Sequence, residues 1–301
     1  MLSKVDIDKE LCRGINIVPF NGDNIKENSI NLSASSYAFP MSSGKCFIKN
    51  DGDIVNIYEK NEEDDGIEIE IIKGKTAVFE FNGQKIIILL PFSTTLIETK
   101  EVLAVDKNIG GTYHSKVGIA CQGIGHIGTM LGPGFSGHSL VPIHNISATP
   151  LKLNVDHTFV SVVFNYLKSP IDYPNPTDNG HLNKLAEYGV KLDSEVAKFL
   201  DQDWKRNIDI VRENMDLDDK FKEYKEILSK RKYKKFLKYI NFKNFVLLII
   251  SLAVFIAFYW IALCLDSKLS NPIWIDRYWT VGFSGAFIYI LGILRSFIKS
   301  E

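Results

Sequence analysis

No cysteine in this chain has a neighbour to pair with. Cys12, Cys46, Cys121 and Cys264 lie far apart and form no CxxC unit. That excludes a disulfide framework or a cysteine zinc site and fits a reducing compartment. The six histidines show no HxxxH or HxH spacing, so neither a metal nor any other cofactor is expected. No Ser-His-Asp or Cys-His set emerges from local context. The first ten residues contain no apolar stretch, so no cleavable signal is expected. Net charge is small, −1, but unevenly spread. Residues 230–301 hold eleven Lys/Arg and three Asp/Glu, leaving 24 basic against 33 acidic residues in 1–229, a net −9. That balance argues against nucleic acid as a partner. A small phosphate ligand remains open, because a few local donors hold it.

The C-terminal part is rich in long apolar runs. Phe245–Leu265 contains 21 residues without one charge, enough at about 1.5 Å per residue to cross a ~30 Å hydrocarbon core. A second run, Tyr278–Leu294, has 17 residues. Tyr259, Trp260, Trp274, Tyr278 and Trp279 sit near the ends of these runs, where interfacial aromatics belong. Gly282 and Ala286 are four apart, a spacing that lets helices pack closely. Lys230, Arg231, Lys232, Lys234, Lys235, Lys238 and Lys243 precede the first run, and Arg295 and Lys299 follow the second. The positive-inside rule then predicts a two-pass protein of the inner membrane with both termini cytoplasmic and the lipid bilayer as a partner.

Most of the first 170 residues read as strands. Ser3 and Asp6 form a capping-box pattern for a short helix over Ser3–Leu11, with Gly14 suited to its end. Ile67, Ile69 and Ile71 alternate with Glu68 and Glu70, the period of a half-buried strand. Val78–Phe81, Asn82-Gly83 and Lys85–Leu90 predict a hairpin with a type I′ turn. Further strands are expected at Thr94–Ile97, Val117–Cys121, Ser139–Ile143 and Phe159–Phe164. Beyond residue 180 the period changes. Val196, Leu200, Trp204, Ile208, Val211 and Met215 predict an amphipathic helix from Asp193 or Ser194, which Phe221, Tyr224 and Leu228 extend. This helical stalk either packs on the β domain or self-associates as a short coiled coil. The resulting division is a β domain over 1–175, a stalk with a basic run over 176–243, and a membrane hairpin over 244–301. Gly123-Ile-Gly-His-Ile-Gly128 matches GxGxxG, but Gly132-Pro-Gly134 follows too soon for the helix a dinucleotide site needs.

Three blocks carry a family resemblance. MLSKVDIDKELCRGINIVPF with NSINLSASSYAF, then IIILLPFSTTLIETKEVLAVDKNIGGTYHSKVGI, then GPGFSGHSLVPIHNISATPLKLNVDHTFVSVVF resemble, in order, the conserved stretches of the dCTP deaminase/dUTPase superfamily. The resemblance implies that family's mainly β fold, a dUTPase/dCTP deaminase-like β-barrel followed here by a helical stalk and two transmembrane helices. It also implies a homotrimer or higher homo-oligomer. The departures bear on chemistry. The family's phosphate-loop Arg-Ser-Ser corresponds to His114-Ser115-Lys116, and a later arginine to Ile119. The aspartate of its Asp-Pro-Gly falls on Gly132 and its acid/base glutamate on Pro142. A further arginine and glutamine fall on Thr158 and Ser161. Neither proline nor glycine takes a proton from water, so the expectation is a catalytically inactive relative, with no catalytic residues and no enzyme activity. His144 is the nearest acid–base group.

Binding remains expected. Ser115 and Lys116 supply donors, and with His114, Gly125, His126 and Gly128 they make the candidate ligand-binding set. A β domain of this kind on paired membrane helices resembles effectors of CBASS-like and Panoptes anti-phage systems. There a nucleotide or cyclic nucleotide is the ligand and a nucleotide cyclase the partner system. The competing expectations are a membrane-tethered pyrimidine nucleotide deaminase or triphosphatase, and a trimeric scaffold that binds nothing.

Overall fold

The computed structural model describes residues 1–125, 128–172 and 181–239, with isolated positions between 249 and 267. It divides into two compact units, Met1–Glu226 and Ile227–Glu301. The apolar runs expected to cross the membrane fall almost wholly outside the described residues. Among the described residues, no helix is long and apolar enough to cross a membrane.

The first unit opens with helix α1 (Lys4–Glu10), where Ser3 and Asp6 make the expected reciprocal capping box. Gly14 does not end it: Leu11 is the cap, and Cys12 takes the left-handed turn at φ 60°. Strands β1 (Ile15–Val18), β2 (Ser29–Pro40), β3 (Gly44–Lys49), β4 (Ile54–Asn56), β5 (Gly66–Ile71), β6 (Val78–Phe81), β7 (Gln84–Leu89), β8 (Ser93–Val105) and β9 (Ile109–Ser115) follow. After a single helical turn, α2 (Val117–Ala120), come β10 (Ile124–Gly125), β11 (Met130–Leu131), β12 (Ser136–Asn145), β13 (Leu151–Asn154) and β14 (Thr158–Tyr166). The chain is mainly β.

The main sheet has the order β10-β12-β8-β2-β14-β9-β11, with β1 added to β8, and every pairing is antiparallel. No ladder joins β10 to β11 among the described residues, so the hydrogen bonding of the expected barrel does not close. Yet only residues 126–129 separate those two edge strands, a reach of at most ~18 Å. The sheet therefore curls enough to bring its two edge strands within that reach. Two three-stranded sheets, β13-β7-β6 and β4-β3-β5, share a core of Cys46, Ile48, Ile69, Ile71, Ile86, Ile88 and Leu90. The Asn82-Gly83 turn has φ 48° and 72°, the left-handed pair of a type I′ hairpin.

Val117–Cys121 is not a strand. Its amides bond back to Lys116 and Val117 (Ala120 N to Lys116 O, 2.9 Å; Cys121 N to Val117 O, 2.9 Å). The chain must turn there between β9 and β10, and Val117 is left exposed, so no buried face selects the extended form.

The helical region packs onto the sheet within the same unit. The single long helix expected from Asp193 is three pieces: α4 (Ser194–Leu200), a 3-10 turn (Asp203–Arg206) and α5 (Ile208–Leu217), preceded by α3 (Leu182–Glu187). Asp193 caps α4 and Asn207 caps α5, each accepting from two backbone amides. Asn207 ends the 3-10 turn and starts α5, while the apolar spacing continues through it. We call residues 182–217 the strap. Leu185, Val190, Val196 and Leu200 pack on Phe39 and Leu96, with Leu140 and Phe199 at the margin. Val211 packs on Val102 and Ala104, beside Trp204 and Ile208. Helix α6 (Asp219–Tyr239) begins in the first unit, where Phe221 meets Phe20 edge-on at 5.0 Å.

Candidate functional site

Strand β9 runs beside β14, so His114 lies opposite Ser161 and Ser115 opposite Val160. Beyond the strand Lys116 turns inward. Its ammonium donates to the hydroxyl of Thr158 and, at 3.4 Å, to the Thr158 carbonyl. Burial, with a smaller contribution from Lys26, lowers its pKa from the ordinary lysine value. The Ser115 hydroxyl is buried without a partner. Ser161 donates to Asn31 Oδ1 at 2.7 Å. Asn31 also lines a small pocket with Pro19, Phe20, Asn24 and Glu101. Glu101 accepts from the Ser33 amide at 2.8 Å, and burial raises its pKa.

The expected ligand-binding residues are only partly brought together. Ser115 and Lys116 join Thr158 at one end of β9. His114 points to solvent, bonded to Thr112 at 2.8 Å. Gly125 sits on the opposite edge strand, β10, paired with His144. Gly128 returns to the first edge, where a Cβ on it would lie 3.7 Å from the Tyr113 carbonyl. The glycines thus frame the seam across which the sheet curls. His126 lies between them, outside the described residues.

Pro142 stands mid-strand in β12, opposite Leu96 of β8. Directly opposed and alternate residues share a face, so Pro142, Leu140, Leu96 and Glu98 point the same way, towards the strap. Gly132 lies in the turn before β12, with nothing within 4 Å of an added Cβ. His144 shares a 2.8 Å hydrogen bond with Thr94, and its Nε2 is buried without a partner.

Reading the sequence missed a second polar cluster on that face. Glu98 is fully buried and neither carboxylate oxygen has a hydrogen bond. His181 Nδ1 lies 3.5 Å from Glu98 Oε1. Lys205, 5% exposed, sits 4.1 Å over the Phe199 ring and donates to the Phe199 carbonyl. Burial pulls its pKa down to about 8, with Glu98 partly opposing. No group of three His, Cys, Asp or Glu among the described residues is arranged to hold a metal ion. The one available signal was a glutamate inside the apolar run Leu96-Ile97-Glu98, and alternation could not expose it because β8 is buried on both faces.

A sequence profile of dCTP deaminase-like proteins matches residues 1–167. The chain belongs to that family. Several solved structures are similar to part of the chain. The dCTP deaminase of Agrobacterium tumefaciens is 12% identical with a TM-score of 0.37, over 62% of this chain and 53% of that one. The chain thus spans about half the length of that deaminase. The EIAV dUTPase is 20% identical with a TM-score of 0.27, over 46% of this chain and 98% of its own. A dUTPase mutant from phage phi11 of S. aureus is 13% identical with a TM-score of 0.26, over 46% and 98%. No curated protein matches the chain.

Proposed function

We propose that this chain is a non-catalytic, nucleotide-binding member of the dCTP deaminase-like family, anchored in the inner membrane by its C-terminal apolar runs. The observation that carries the reading is Pro142. It occupies the middle of β12, where the sequence resemblance puts the family's acid/base glutamate, and it has no group to accept a proton from water. The binding half of the proposal rests on Lys116 and Ser115 at the end of β9, a half-buried cation and an unpartnered hydroxyl beside the glycine-lined seam. An anionic nucleotide supplies what both lack. The membrane half rests on the uncharged 21-residue run Phe245–Leu265 and its basic flank. In the fuller form of the proposal the protein is a homotrimer or higher oligomer that senses a nucleotide or cyclic nucleotide made by a partner cyclase. It then acts on the membrane in anti-phage defence.

A second reading has one observation in its favour. Glu98 places a buried, unbonded carboxylate on the face that Pro142 shares, so a deaminase or triphosphatase with a relocated base is the rival. The test uses the full chain in mild detergent. Incubated with dCTP, dUTP and Mg²⁺, it should release neither ammonia nor pyrophosphate above buffer. Mono- and cyclic nucleotides screened by thermal shift should give a hit, worth roughly 2.7 kcal/mol at a hundredfold excess over Kd. Lys116→Glu should weaken that hit. Turnover lost on Glu98→Gln would establish the rival, and no shift with any nucleotide would leave a scaffold.

A further inference from the structure

Where the strap lies on the sheet, polar groups are sealed in without the partners burial normally demands. His138 of β12 is 5% exposed. Its Nδ1–H donates to the Thr99 carbonyl at 2.9 Å, which leaves Nε2 as a bare acceptor. That atom is buried and has no partner. The ring stacks on Phe199 of α4 at 4.4 Å and 23°, and Phe199 stacks in turn on Tyr37 of β2 at 4.2 Å and 24°. The strap therefore rests on a stack of rings in which only the imidazole can take up a proton.

Burial and two neighbouring side chains oppose a charge on His138: Lys205 of the strap and His181 just before it, whose Nδ1 makes no hydrogen bond. The backbone carbonyls of Thr99 and Glu101 on β8 favour it. Buried polar atoms without partners are rare in native proteins and need a cause. Here the neutral ring fits and the charged ring does not.

We propose that His138 is a proton-operated catch on the strap: neutral, it seats Phe199 and α4, and a proton taken from solvent at Nε2 releases residues 182–217 from the β8–β12 face. Release uncovers Leu96, Leu140 and Pro142, so the face that the function proposed above reads as the family's former catalytic face is open in acid and closed at neutrality. The Thr99 and Glu101 carbonyls restrain the release by attracting the new charge, while Lys205 and His181 favour it. Burial first, and Lys205 next, hold the His138 pKa down at about 3 against an ordinary 6.5. The unfolded or released imidazole binds the proton first. The strap's grip is therefore complete above about 6.5 and weakens by up to tenfold for each pH unit below, down to about 3.

Hydrogen exchange on the full chain in mild detergent, at pH 7.5, 5.5 and 4.5 and corrected for intrinsic rates, tests this. Protection of α4 and α5 should fall about tenfold between pH 5.5 and 4.5, while the β6–β7 hairpin holds steady. His138→Phe keeps the ring stack and removes the proton acceptor, so its strap should stay protected at all three values. A wild-type strap that keeps its protection at pH 4.5 overturns the proposal, as does a His138→Phe strap with the wild-type profile. Should His138→Phe not fold, His138→Gln decides. Its amide takes up no proton, so its strap should lose no protection between pH 5.5 and 4.5, and a wild-type loss refutes the catch.

Discussion

Replacing Lys205 by Met tests how the strap tolerates a buried ammonium. The lysine is 5% exposed, and burial lowers its pKa from 10.5 to about 8 even with Glu98 attracting it. Between those values the unfolded chain binds more protons than the folded one, so stability must climb with pH across that window and stay flat below it. The whole climb is worth roughly 3 kcal/mol. Methionine has the same reach without the proton and should show no such climb. At pH 7 the two proteins should differ little. Methionine escapes the desolvation cost but loses the charged bond to the Phe199 carbonyl, about 1.5–3 kcal/mol, and the contact with the Phe199 ring, about 0.5–2 kcal/mol. Urea unfolding of the full chain in mild detergent, followed by circular dichroism at pH 7, 8, 9 and 10, yields the difference curve. Other lysines and tyrosines titrate in both proteins and cancel in it. Parallel curves for wild type and variant would show that Lys205 is solvated, and the reasoning would fail.

Three further outcomes are expected. Asn207 Oδ1 accepts from the amides of Asp209 and Ile210, so Asn207→Ala should cost about 1 kcal/mol in the same urea assay. Met215 is fully buried and accepts from the Ile17 amide at 3.3 Å, so Met215→Ala should cost about 2–5 kcal/mol. A loss below 1 kcal/mol would mean that α5 is not seated on β1. Lys116→Glu, which puts a carboxylate beside Thr158 and reverses the charge offered to a phosphate, should weaken any nucleotide-induced thermal shift by tenfold or more in apparent affinity.

The elements with a strong local cause were legible in the sequence. Asn82-Gly83 fixed its hairpin because few other dipeptides accept two left-handed residues in a row. Ser3 and Asp6 placed the start of α1 for a similarly local reason. The strap's apolar faces were visible too, since Val196, Leu200, Val211 and Met215 are all buried. What failed depended on distant partners. The breaks at Asp201–Asp203 and Asn207 interrupt the helix without interrupting its apolar spacing, so periodicity could not reveal them. Val117-Gly-Ile-Ala-Cys121 is apolar enough for a strand, but no neighbouring strand receives it. Of the candidate site, Ser115 and Lys116 were placed by resemblance and lie together with Thr158. Glu98, His138, His181 and Lys205 come from four separate stretches, and only the packing of the strap on β8 and β12 makes them neighbours.

The position of β2 in the sheet has a consequence for how the protein is made. Its neighbours are β8 and β14, with Ala34 beside Thr99 and Ile30 beside Val162. A nascent chain therefore carries β2 with one edge unsatisfied until residue 105 has emerged, and with the other unsatisfied until residue 166. Such distant pairings form slowly, and waiting edges invite pairing with other chains. The strap that covers β8 and β12 arrives later still, at residues 182–217. All of it nonetheless precedes Phe245, so synthesis in this order lets the first unit bury its own apolar face before the apolar run Phe245–Leu265 leaves the ribosome. Moving that run ahead of β2 would make the two hydrophobic surfaces compete during translation.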